Sequence, residues 1–530
     1  MFTRRQLAKI AGFSALGSQL AGLSPVSAQD RPLLRLATPV SDLQSLDAHF
    51  AIGTQDRTVA AMVYNGLIRF KPGTEDEFEP DLAEALPEAI ENEDGSQTWT
   101  FVLKEGVLPH PVDGVEQAEL TVADILFSYE KCSNVDTSAF SGEYIGWTYE
   151  ADEASREFRI TVPNPISILL FYPKVANYSG GLIVPKAQYE AIGSSGIITH
   201  PVGTGPFRFS NYTPQNSVQL VAHDDYFRGA PKLSGVDVVY LDDHTARDFA
   251  LETGDVQVIH GQWQTMWVDR INSTDGLVAD VFGVGDPLFF NFNVEHEILQ
   301  DIKVRKALIM AINRQAHVEI AGEPVYQPMH GVIAADHLPG GISREEAEAE
   351  GVLYEHDVEG AKALLAEAGY PDGFELDLIS SEMEIYRVNY EVMQEEFRQI
   401  GVTVNLEIVQ HATMHELIRE GRNPITIYNA YRPNPDITLT QFFSADGGGS
   451  NFSNFTVDDL RDRARRATDV EEQAGLWREA NLEIMRNCAG YATMYSNQVY
   501  ARHESVDYGH ELKASLNYYP DINETSSITS

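Results

Sequence analysis

Pro201-Val202-Gly203-Thr204-Gly205-Pro206-Phe207-Arg208-Phe209 is the most unusual stretch of this 530-residue chain. Two prolines and two glycines within six residues cannot lie inside a helix or a central strand. Proline lacks a backbone donor, and glycine has no side chain to pack. Phe207-Arg208-Phe209 then alternates as a strand does. The stretch predicts a rigid turn feeding a strand, where the chain comes back from an inserted domain to the domain in which it began. Gly203-Thr204-Gly205 is no phosphate cradle. The P-loop lysine is missing, and Pro206 stands where a helix should start.

Upstream of this turn, a strand is expected over 33–40 and a helix over 55–64, ended by Asn65-Gly66. Strands at 67–70, 99–103 and 158–162, with a helix over 121–131, give residues 66–200 elements of their own. Pro163 and Pro165 close the last of these strands. Downstream, 217–222, 236–241 and 255–259 read as strands, with a helix opening at Thr245, the unit of an α/β domain. A further α/β region follows. It has a strand at 288–293, a helix capped by Asp301, a helix opened by Asp357, and strands at 374–379 and 402–409 around a helix over 386–399. Helices are expected at 457–467 and 469–487. A strand at 491–495 is expected to return to the first domain.

The length exceeds what one core can organise, so two or three domains are expected. There are 79 acidic and 38 basic residues, a formal net charge of -41. Such a chain is repelled by nucleic acid and by anionic lipid, which excludes both as partners. Residues 1–28 read as an export signal of the twin-arginine type. Arg4-Arg5 precede a modest apolar run, and Val26-Ser27-Ala28 is small where a signal peptidase cuts. No cysteine follows for a lipid anchor, so an exported, soluble, periplasmic protein is expected. Cys132 and Cys488 are too far apart in sequence to be paired from it.

The usual catalytic signatures are missing. There is no G-x-S-x-G elbow, and His415-Glu416 has no second histidine at zincin spacing. His223-Asp224-Asp225 and Asp242-Asp243-His244 sit in polar loops and read as solvated. The chain is expected not to be an enzyme and to use no cofactor and no metal.

Several stretches in order resemble the extracytoplasmic solute-binding proteins of ABC importers, family 5, which carry peptides, nickel and related solutes. Ser45 to Phe50 is similar to the family's "LDPHF" loop, Tyr64-Asn65-Gly66-Leu67 to "YEGL", and Pro80 to Glu84 to "PDLAES". Thr98 to Val107 resembles "TWTFHLREGV", Leu120 to Ile125 resembles "LTAEDV", and residues 201–206 match "PVGTGP" letter for letter. Asp301 to Leu308 and Ala361 to Tyr370 resemble "DVRVRQAL" and "AKALLAEAGY". The resemblance implies a large two-lobed α/β periplasmic-binding-protein fold (type II-like, cluster C) with an extra inserted domain. Domain I would comprise 29–65, 201–288 and 490–530, the inserted domain 66–200, and the second ligand-binding lobe 289–489. Ligand would lie between domain I and the second lobe, which close about a hinge of two crossing strands. The partners implied are a small-molecule or peptide ligand and the permease and ATPase subunits at the inner membrane. A monomer is expected.

Family geometry directs attention to particular loops. In domain I, Gln262, Trp263 and Trp267 offer apolar platforms beside hydrogen-bonding groups. A helix burying both indoles fits the same letters. Asp47, His49 and Phe50 lie on the loop after the first strand, another cleft-facing place, with capping and packing as the plainer reading of the same residues. In the second lobe, Tyr428, Tyr431, Arg432 and Asp436 surround Asn434-Pro435. Many peptide-binding relatives carry an acid just before an acid-Pro pair here, which meets the peptide's ammonium. This chain has Tyr431-Arg432 and Asn434-Pro435 instead. Arg432 suits a carboxylate or phosphate held bidentately, while Asp436 could stand in for the missing acid. A peptide or oligopeptide is the leading ligand class. An anionic opine-like or sugar-derived solute is the rival, and a periplasmic enzyme or a chemosensory binding protein is the alternative from another class.

Overall fold

The computed structural model describes residues 31–529 except 284, 336–337, 430–431, 433 and 446–452. The expected signal at 1–28 and Tyr431 lie outside the described residues.

The first lobe is built on a seven-stranded sheet. Its order is Leu277–Phe282, Gln498–His503, Val258–His260, Leu33–Thr38, Gly235–Tyr240, Ser217–Ala222 and Phe207–Thr213. The opening strand Leu33–Thr38 sits at its middle, parallel to both neighbours, and three separate stretches of chain are needed to complete the sheet. Helix Thr54–Val63 packs on it through Val59, Ala60, Met62 and Val63.

The turn at 201–206 is held from two sides. Gly205 N–H donates to Val63 O (2.9 Å), Thr204 Oγ donates to Asn65 Oδ1 (2.9 Å), and His110 N–H donates to Gly203 O (2.8 Å). A Cβ on Gly203 would stand 2.3 Å from Val63 O, and one on Gly205 2.6 Å from Met62 O. Backbone approach this close admits only glycine. The turn then enters strand Phe207–Thr213 of the first sheet, as the sequence predicts.

Residues 66–200 carry their own four-stranded sheet, ordered Ala89–Glu91, Gln97–Val102, Glu157–Val162 and Thr148–Asp152. Its core gathers Trp99, Phe101, Tyr129, Phe158 and Phe171, with the Trp99 and Phe171 rings stacked at 4.1 Å.

The second lobe centres on an antiparallel sheet ordered Tyr326–Pro328, Gly490–Ser496, Pro287–Phe292 and Ile425–Asn429. A parallel pair, Phe374–Ser381 and Val402–Val409, is joined by helix Glu384–Gln399. One expectation needs correction here. The strand predicted at 491–495 does not return to the first domain. Gly490–Ser496 is buried along its whole length and pairs with second-lobe strands on both sides. With Tyr491 and Met494 in one apolar cluster and Ala492 and Tyr495 in another, neither face is left for the first sheet. The chain re-enters the first sheet at Gln498. The lobes are thus connected at 283–286 and at Asn497, where Gly285 N–H donates to Ser496 O (2.6 Å) and Ser496 N–H to Asp286 O (3.0 Å).

Cys132 and Cys488 are free thiols, buried in different cores. Burial pushes the Cys132 thiol up to about 12, so it is inert at neutral pH. No helix among the described residues is long and apolar enough to cross a membrane.

Candidate functional site

A cavity of about 830 Å³ opens between the inserted domain and the second lobe. That volume lies within the range of small-ligand sites. One wall is the inserted domain, with Phe70, Tyr144, Ile166, Leu170, Pro173, Lys174 and Tyr178. The other is the second lobe, with His415, Ile418, Arg419, Tyr428, Asn434, Asp436, Ile437 and Arg465. Among the described residues, Leu516 alone comes from the first lobe. The ligand cleft expected from family geometry lies between the first and second lobes, so the cavity differs in which domain supplies the near wall.

The walls are apolar with polar groups set into them. Lys174 Nζ is hydrogen-bonded to the Glu143 carboxylate. Opposite, Arg465 forks onto Asp436, Nε to Oδ1 at 2.7 Å and Nη2 to Oδ2 at 2.9 Å, and Nη2 also reaches Thr440 Oγ1. This is the planar bidentate pairing that arginine favours. His415 and His411, one turn apart on helix His411–Arg419, stand 3.1 Å apart at their Nε2 atoms. Burial, then His411, then Arg419 lower the His415 pKa, which keeps this wall from gaining another cation at neutral pH. Among the described residues, the fixed charges of the lining are Lys174, Arg419 and Arg465 against Glu75, Glu143 and Asp436. The cavity is balanced in a chain whose acids outnumber its bases two to one.

The expected site residues divide sharply. Tyr428 and Asp436 lie on the cavity wall. Arg432 sits beside it, with Nε donating to Gln441 Oε1 (2.6 Å) and its guanidinium 6.0 Å from the Phe442 ring centre. Asn434 caps helix Pro435–Phe442 by accepting from Asp436 N–H.

The first-lobe candidates lie elsewhere. Trp267 is buried, with Nε1 donating to Asp248, and Gln262 donates to the same carboxylate (3.1 Å). This is the packed-helix alternative left open by the sequence. Trp263 is partly exposed at the connection between lobes, donating from Nε1 to Asn497 O (2.9 Å). Asp47 and His49 are buried where the first lobe meets the inserted domain, around Lys131, whose Nζ is 2.8 Å and 3.0 Å from the Asp47 oxygens. Phe50 covers that ammonium at 5.6 Å.

Lys174, Tyr144, Tyr178, Arg419 and Arg465 were not singled out from sequence. No local motif marks any of them, and the meeting of two domains makes a wall of them. Among the described residues no group of three or more His, Cys, Asp or Glu could hold a metal. His223 and Asp243, expected in solvated loops, are engaged in the fold instead: His223 is buried and bonds Gly205 O, and Asp243 caps helix His244–Thr253.

Comparison with known proteins agrees with this architecture. The family model for bacterial extracellular solute-binding proteins, family 5 Middle, matches residues 77–451. Heme-binding protein A of Haemophilus influenzae is 28% identical over 465 residues, covering 82% of this chain and 81% of that protein. The dipeptide-binding protein of Escherichia coli K12 is 26% identical over 464 residues, covering 82% and 83%. Among solved structures, MoaA from A. tumefacien R10 in complex with mannopinic acid is 32% identical. It covers 94% of this chain and all of its own, with a TM-score of 0.72. With its inserted sheet, its two lobes and a family match over most of its length, this chain belongs to the bacterial extracellular solute-binding proteins, family 5.

Proposed function

We propose that this protein is a non-catalytic, monomeric, periplasmic substrate-binding protein of an ABC importer. It captures a small amino-acid-derived solute bearing both an ammonium and a carboxylate, and hands it to permease and ATPase subunits. The observation that carries this reading is the balanced charge of the 830 Å³ cavity in a chain of net charge -41. The overall field disfavours anions at long range, while the walls carry both signs, four of the charges being paired with each other as Lys174–Glu143 and Arg465–Asp436, so that a zwitterion fits by exchanging partners with them. A short peptide is the first reading within that class, supported by the dipeptide-binding relative. An opine-like solute is the second, favoured by two facts. Arg465 already occupies Asp436, the acid that a peptide ammonium would need, and the 32% identical relative holds mannopinic acid.

The division into a discontinuous first lobe, an inserted domain at 66–200 and a second lobe that closes by hinge bending is part of the proposal. Closure wins only if ligand contacts both sides of the cleft. A thermal-shift series with dipeptides, mannopinic acid, simple sugars and polyamines tests the class, because a ligand that binds only the native state raises the melting temperature. Stabilisation by the zwitterions is expected. Stabilisation by polyamines or neutral sugars alone would overturn the class. Arg432→Ala separates the two readings: a loss of mannopinic acid binding of tenfold or more supports the second, and unchanged affinity removes the arginine from the site. Chemical conversion of any bound solute on incubation would make the protein an enzyme.

A further inference from the structure

Residues 163–175 leave the inserted sheet in an unusual way. After strand Glu157–Val162 comes Pro163-Asn164-Pro165, a stiff approach with few backbone choices. Ile166 N–H is then fixed to the buried Gln97 side chain (3.0 Å), and helix Ile168–Val175 begins. The helix has two committed faces. Phe171, Tyr172 and Val175 point into the inserted core. Leu169 and Leu170 leave that core and pack against the second lobe's cluster, which contains Phe289, Ile418, Leu439 and Phe442. Two polar contacts accompany them. Ser167 Oγ donates to Gln473 Oε1 (2.5 Å), both side chains being buried, and Asn434 Nδ2 donates to Leu169 O (3.4 Å). Leu170, Pro173 and Lys174 of the same helix, and Asn434 opposite, line the cavity.

We infer that residues 166–174 form a clasp by which the inserted domain grips the second lobe, and that solute in the cavity tightens this clasp. The coupling to solute rests on the function proposed above. The clasp itself does not. Among the described residues the contact between these separately cored bodies is two leucines and two hydrogen bonds, small enough to open and close. A solute lying between Leu170 and Lys174 on one side and Ile418 and Ile437 on the other adds contacts only when the clasp is shut, and so shifts the population toward it.

The test is an electron-spin distance measurement on the full chain, labelled at Glu93→Cys on the inserted domain and Glu348→Cys on the second lobe, both exposed. Leu169→Asp is expected to broaden and lengthen the distance distribution without solute. Ser167→Ala is expected to move it less, in the same direction. It is the gentler variant, because the Ser167 hydroxyl makes no capping bond to its own helix. If both variants leave the distribution as in the native chain, the clasp is overturned whatever any solute does. Mannopinic acid and the dipeptide Met-Leu are then added to the native chain. Narrowing toward the shorter distance supports the coupling. A probe that binds by calorimetry without moving the distance overturns the coupling. Failure of both probes to bind counts against the proposed solute class while the variants still decide the clasp.

Discussion

The inserted domain meets its two neighbours through seams of opposite character. Toward the first lobe the seam is buried and charged. Lys131 is sealed against Asp47 and Thr137 O, and Arg228 and Asn65 both reach Asp81. Two neutral histidines bridge it. The partners of His49 require Nε2–H to donate to Leu182 O (3.0 Å) while Nδ1 faces the Lys131 ammonium (3.3 Å). His110 sits likewise between Gly205 O (2.9 Å) and Gly203 N–H (3.3 Å). Toward the second lobe the described residues supply two leucines, two hydrogen bonds and a cavity. Buried ions without their partners are costly, so the first seam cannot part without penalty. The second exposes little when it opens. Permanence and mobility are thus assigned to the two sides of one domain by the kind of contact, and the cavity lies on the mobile side.

The largest effect should come from the first seam. Asp47→Ala leaves the Lys131 ammonium buried, where burial already lowers its pKa despite Asp47 beside it. A loss of about 3–5 kcal/mol in urea unfolding is expected, and a loss below about 1 kcal/mol would show the seam to be looser than its geometry. Gly205→Ala drives a methyl into the Met62 and Val63 backbone and should cost up to about 3 kcal/mol by the same measurement.

Acid should act next. Burial, then His223, bring His110 down to about 3, and burial followed by Lys131 lowers His49. Both folded pKa values lie below the unfolded value near 6.5, so the unfolded chain takes the proton first. Stability present above pH 6.5 is lost as the pH falls below it, by about 2 kcal/mol for His110 alone at pH 5. His110→Gln should flatten that slope. An unchanged slope would place the acid sensitivity elsewhere. Ser167→Ala at the second seam should be the smallest, about 1 kcal/mol or less in unfolding. A larger stability loss than at Gly205 would reverse the assignment of the two seams.

Much of this was legible in the letters. The Pro-Gly turn at 201–206 marks a return to the first sheet because no regular element accepts its backbone. Asp301 and Asp357 cap helices as the letters predict, the helix expected from Thr245 is capped two residues earlier by Asp243, and the matches to the family run in order from Ser45 to Tyr370. The last crossover is not legible in the letters, since a short run such as 490–496 says that a strand is buried but not in which sheet. Trp263 and Trp267 illustrate the same limit. An indole in a sequence is equally a platform for ligand or a packed ring, and the choice is made by Asp248 and Asn497, residues far from them in the chain or on a neighbouring helix.

By itself, then, the sequence determined the fold class, the interrupted course of the chain through an inserted domain, and membership of a solute-binding family. These are encoded in periodicity, turns and caps, which act over a few residues. Only the tertiary structure decided that Lys174 faces Arg465 across a cavity, that Asp436 is already occupied, and that residues 166–174 reach over to the second lobe. Those facts depend on side chains from 29 to about 300 residues apart in sequence being brought together, and no local pattern records that.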